Sequence, residues 1–123
     1  MSVESATSRY KEYLQGDNLQ LFEIIRKRIL NLDSSVREES KKHYIAYKTT
    51  TNFVDIVPLK SRLDLYLNMS FEEVNDPKGL WVDVTHKGHW GNGNVQVNVS
   101  SLDSLDYVIN LVYQAFHKHS DEV

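Results

Sequence analysis

The chain has 123 residues, 41% of them hydrophobic and 25% charged, with a formal net charge of −3. That size fits one domain with its own core, and the composition is not that of a disordered segment. The absence of cysteine excludes thiol nucleophiles, disulfides and cysteine-rich zinc sites, and the small negative charge argues against a protein held to nucleic acid by net charge alone.

From the N-terminus, "MSVESATSRYKEYLQ" has no apolar stretch and does not read as a secretory signal. No apolar run approaches the roughly 20 residues needed to span a bilayer. A cytoplasmic chain with no membrane partner is the expectation. Residues 1–16 are read as an extension or connector, 17–119 as the domain and 120–123 as a tail. Segment 2–15 is polar, anchored by Tyr10, Tyr13 and Leu14, and reads as a short, loosely packed helix.

Asp17, with Gln20 at the capping-box position, is expected to cap a helix over Leu19–Leu32, where Phe22, Ile25, Ile29 and Leu32 share one face. "VREESKK" (36–42) reads as one or two further helical turns. Then the period changes. "HYIAYKT" (43–49) and "NFVDIVP" (52–58) read as a hairpin, with Pro58 ending its strand or marking an edge. "RLDLYLN" (62–68) alternates, and "SFEE" (70–73) is a capping box before a short turn closed by "NDPKG". "WVDVT" (81–85) and "NVQVNVS" (94–100) are two more strands. Ser101 is placed to cap a last helix with Leu102, Leu105, Val108, Ile109, Val112, Tyr113 and Phe116 as its apolar stripe.

Strands bracketed by helices predict an α+β fold: a mostly antiparallel five-stranded sheet with helices packed on one face. The clean alternation predicts that the other face is wet or covered by a partner. It would display Arg62, Asp64, Tyr66, Asn68, Asn94, Gln96 and Asn98.

The stretch "HKGHWGNGN" (86–94) joins the last two strands. Its glycine spacing invites a phosphate-loop reading, but a strand follows it, so no helix N-terminus faces the loop. Gly88, Gly91 and Gly93 are read instead as suppliers of positive φ in a hairpin loop. His86 and His89 could ligate a metal only with further ligands, for which Asp83 and Asp55 are the candidates. Loop histidines are more often solvated. Trp90 either plugs the open end of the sheet or meets a partner.

His86 at a strand end, a hairpin, and then Asn110, His117 and His119 on a helix follow an order shared with some metal nucleases, yet the helix face looks like solvated surface. A second nuclease pattern finds only "DPK" at 76–78, in a turn. Lys41, Lys42, His43, Lys48, Lys60 and Arg62, near Tyr44, Tyr47 and Tyr66, could form a cationic patch for stacked bases and phosphates, against a plainer charge-mixed surface.

Taken together, "YIAYKTTTNFVDI", "RLDLYLNM", "DPKGL", "GHWGNG" and "SLDSLDYVINLVYQAF" resemble an uncharacterised bacterial domain family of unknown function. That family occurs alone or at the C-terminus of longer proteins loosely labelled "predicted transport protein". The resemblance runs from about Leu19 to Phe116. Some relatives are joined to domains similar to those of restriction and phage-defence systems, which implies an accessory or recognition role. The recurrent loop of the family corresponds to Gly88, His89, Trp90, Gly91, Asn92 and Gly93.

The expected function is a non-enzymatic binding module using His86, His89, Trp90, Asn92, Arg62 and Tyr66. No cofactor, catalytic set or metal is assigned, and the expected partner is a nucleic acid or another protein domain. The alternatives are a small metal-dependent hydrolase built on His86 and His89, and a structural or oligomerising domain. Oligomeric state is not readable from the residues.

Overall fold

A computed structural model describes residues 10–85 and 93–120. Its elements in chain order are α1 (Gly16–Leu30), β1 (Arg37–Ser40), β2 (Ile45–Lys48), β3 (Asn52–Pro58), β4 (Leu63–Leu67), a 3-10 turn (Phe71–Glu73), β5 (Val82–Asp83), β6 (Val95–Val99) and α2 (Leu105–Ser120). The α+β class is as read from the sequence. The sheet has six strands in the order β1-β2-β3-β4-β6-β5, each antiparallel to its neighbours.

On the helix side the alternation works as expected. Leu63, Leu65 and Leu67 lie opposite Val99, Val97 and Val95. All six are buried in one core with Ile45, Val54 and Ile56. From α1 come Leu21, Phe22, Ile25 and Ile29; from α2 come Val108, Ile109, Leu111, Val112, Ala115 and Phe116. Burying such side chains stabilises by about 1.5–3 kcal/mol each, so this layer dominates the fold. An extra residue in β3, Phe53, lies where the register slips between the pairs Tyr47–Val54 and Lys48–Asn52. The bulge lets adjacent Phe53 and Val54 both be buried, and the Phe53 ring meets Phe116 edge-on at 5.4 Å.

Several local expectations change. "VREESKK", expected to be helical, instead supplies β1, and this is the sixth strand. Its charges are satisfied across elements. Glu38 accepts from Arg26 Nε of α1 and from the Tyr47 hydroxyl, both at 2.7 Å. Glu39 takes Lys41 and Lys48. Charged side chains suit an edge strand, and tertiary partners outweigh the helical preference of "REES".

Asp17 does not cap α1, which starts at Gly16 with no side-chain cap. Asn18 instead ties the carbonyls of Tyr13 and Leu59. Before α2, Ser101 Oγ accepts from the Asp103 N–H in the preceding turn, and the helix begins at Leu105. Leu102 and Tyr113 stand exposed at 53% and 45%, whereas Leu111 and Ala115 fill the buried stripe. The Ser70–Glu73 capping box forms as read.

Candidate functional site

The second face of the sheet is closed at its centre and open along β6. One cross-strand row on it runs Glu39, Ala46, Asp55, Tyr66, Gln96, Val82. In its middle Asp55 is 0% and Tyr66 7% exposed, and Asp64 in the neighbouring row is 5% exposed. Val57, Tyr66 and Val84 form a second apolar cluster, flanked by Tyr44 and Leu59. Asp64 and Tyr66 therefore do not face water, contrary to the alternation argument. β3 and β4 have strands of four or more residues on both sides, while β6 has only the two-residue β5 beyond it. Accordingly Asn98 is exposed, Gln96 and Asn94 are half-buried, and Arg62 is exposed at the end of its strand.

A carboxylate taken out of water needs partners. Asp64 accepts from Arg62 Nε at 2.9 Å, and Asp55 accepts from Asn52 Nδ2 at 2.6 Å. The Tyr66 hydroxyl is pushed above its usual range by burial and by Asp64, with Arg62 pulling the other way. Two expected site residues, Arg62 and Tyr66, are thus brought together on one column with Asp64 between them. Beside them the Gln96 amide donates to Asn98 Oδ1 at 3.2 Å. His86, His89, Trp90 and Asn92 lie outside the described residues.

Gly93, at the foot of that loop, has a steric role that the sequence does not announce. A Cβ there would sit 2.1 Å from the Leu67 carbonyl oxygen, so glycine is required for close backbone approach. The neighbouring Asn94 N–H donates to that same carbonyl at 3.1 Å.

Half of the cationic patch is spent, while Lys42 and Lys60 are exposed. Lys41 and Lys48 hold Glu39, Arg62 holds Asp64, and Tyr47 is fully buried. The two carboxylates considered as extra metal ligands are separated. Asp55 shares a row with Tyr66, whereas Asp83 pairs with Val95 and so projects from the opposite face. Among the described residues no group of three or more His, Asp or Glu could hold a metal. On α2, Gln114 bonds the backbone of Asn75, His117 stacks on Tyr113, and buried His119 sits 2.7 Å from the Asn68 carbonyl oxygen through Nε2.

The Asp76 carboxylate of "DPK" has a structural job that the sequence reading did not assign. It accepts from the Trp81 N–H at 2.8 Å and from the Tyr107 hydroxyl. Burial works to raise its pKa, but the Tyr107 hydroxyl and the N–H groups of Trp81, Leu80 and Gly79 prevail and hold it below the usual range. Gly79, at φ +66°, makes the turn that aims those groups inward. The signal for it was present as "NDPKG", an acid followed by turn-forming residues.

With this geometry in hand, the comparisons fix the family. The family described as "Domain of unknown function (DUF5655)" matches residues 6–119, and the chain belongs to it. An "Uncharacterized protein" of Haemophilus influenzae (strain ATCC 51907 / DSM 11121 / KW20 / Rd) is 34% identical over 119 residues, covering 90% of this chain. The match takes in 39% of that relative, so the chain spans well under half its length. No solved structure matches. No helix among the described residues is long and apolar enough to cross a membrane.

Proposed function

We propose that the chain is a non-enzymatic recognition module whose partner is another protein domain. Its contact surface combines the β4–β6 side of the second sheet face, led by Arg62, Gln96 and Asn98 over Tyr66, with the loop carrying His86, His89, Trp90 and Asn92. One observation carries this reading. The outward side chains of β6, exposed Asn98 and half-buried Gln96, are uncharged carboxamides, while the nearby cations Arg62, Lys41 and Lys48 already hold carboxylates. Such a surface offers hydrogen bonds rather than phosphate neutralisation, which suits a protein partner better than a nucleic acid. The greater length of the Haemophilus relative adds a source for that partner, namely the remainder of a longer polypeptide.

The test is an NMR titration of the isotope-labelled chain with the separately produced remainder of the Haemophilus relative. Shifts should cluster at Arg62, Tyr66, Gln96, Asn98 and the 86–92 loop, and Trp90→Ala or Arg62→Ala should weaken binding. Shifts confined to the helices would contradict the reading. So would preferential, strongly salt-dependent binding to oligonucleotides.

A further inference from the structure

The outer edge of β6 is a half-empty strand position. In the β3–β4 hairpin the Leu59 N–H donates to the Arg62 carbonyl, and at its other end the Asn68 N–H donates to Phe53. Backbone groups alternate sides along a strand. Even-numbered residues of β4 therefore bond toward β3, and Leu63, Leu65 and Leu67 bond toward β6. Their partners Val99, Val97 and Val95 spend their amides on β4. Gln96 and Asn98 then point outward, and at Asn94 the carbonyl does so, accepting from the Val84 N–H, while the Asn94 N–H turns inward to the Leu67 carbonyl. β5 covers only Val95 and Gln96 of this edge. The N–H and C=O of Asn98 have no strand opposite them among the described residues.

The cause is local. Opposite Asn98 the chain would have to run extended through Leu80, but Asp76 draws the N–H groups of Gly79, Leu80 and Trp81 to itself. That leaves a groove of about 330 Å³ between Leu80 and Val82 on one side and Val97, Asn98 and Val99 on the other, reaching Val108 of α2. Val82 is 48% and Leu80 37% exposed.

The two edges of the sheet differ in kind. The β1 edge carries Arg37, Glu38 and Glu39, the usual protection against further pairing. The sequence of β6, "VQVNV", has no charge, no proline and full β-branched alternation. An unguarded edge of this composition is built to be paired.

We propose that the β6 edge binds an extended peptide segment by strand addition, in the slot beyond β5. Only a polypeptide backbone supplies the alternating donors and acceptors that Asn98 lacks. One side of the added strand meets Val97, Val99 and Val108, so it takes apolar residues. The other side lies beside Gln96 and Asn98, so it takes polar ones. A second copy of the chain fits less well, because each β5 fills part of the slot and two edges would offer each other only residues 97–99. This inference deepens the recognition reading and rests on it for the protein nature of the partner.

The probe is a panel of heptapeptides with Val, Ile, Leu or Phe at alternate positions and Thr or Lys between, titrated into the whole chain. At least one should bind and slow hydrogen exchange of the Asn98 N–H about tenfold or more. N-methylation of the peptide amide that faces the Asn98 carbonyl should weaken that binding about tenfold. Val82→Asp and Leu80→Asp, both at exposed rim positions, should abolish binding with an unchanged circular dichroism spectrum. Lys27→Ala, exposed on α1 and outside both surfaces, should leave peptide binding intact, and loss of every peptide while the remainder of the Haemophilus relative still binds would sink this site without sinking the recognition reading. The inference is overturned if no peptide protects Asn98, if methylated and unmethylated peptides bind alike, or if the chain self-associates through β6 instead.

Discussion

At the scale of single residues, two positions carry disproportionate weight. Gly93 touches the Leu67 backbone so closely that any side chain must displace β4 or β6. Gly93→Ala should destabilise the chain by about 1–3 kcal/mol in urea unfolding, the usual cost of overpacking. An unchanged midpoint would remove the close-approach argument. Asp76 organises the turn that keeps the β6 edge open. Asp76→Asn keeps the shape but weakens the charge-assisted bonds, and should cost about 1–2 kcal/mol while speeding exchange of the Trp81 amide. No change in either would show that the turn is held by something else.

At the scale of elements, the core-facing pattern was legible because it is periodic. The leucines of β4 and the valines of β6 pointed inward as the alternation required. β1 was not legible, because "REES" has no apolar period and becomes a strand only through partners on α1 and β2. The buried Asp64 and Tyr66 were misread for a related reason: alternation tells which face a residue is on, but not whether strands on both sides crowd that face. Arg62 and Tyr66 share a strand face because they alternate, whereas the open edge of β6 depends on the length of β5, which "WVDVT" overstates. Burial and the neighbouring Glu38 keep the Tyr47 hydroxyl protonated, well above its usual range, so Glu38 acts as its acceptor. Glu38→Ala should therefore cost about 1–3 kcal/mol, and Glu38→Gln distinctly less, since the amide oxygen still accepts. Equal losses from both variants would argue for a purely ionic role.

At the scale of the molecule, the surface is pinned by carboxylates. Glu39 is held at about 2 by Lys41 and Lys48, and Glu73 at about 2 by Lys118 and Ser70. Asp33 is lowered by the Ser35 hydroxyl and backbone N–H, and Asp76 is lowered as described. All four sit below their unfolded values of 3.8 to 4.5, so their contribution is complete above about pH 4.5 and is lost as pH falls toward 2. The urea midpoint should drop over that window, less steeply in high salt because Glu73 is exposed and Glu39 half-exposed. A midpoint that rises on acidification would contradict the assignment.

The whole account depends on β6 presenting an open outer edge beside exposed carboxamides. Amide hydrogen exchange of the free chain reads this directly. The account predicts slow exchange at Val97 and Val99, which bond to β4, with fast exchange at Asn98 between them. Equal protection of all three amides would mean that the edge is already occupied, and the proposed surface would not exist.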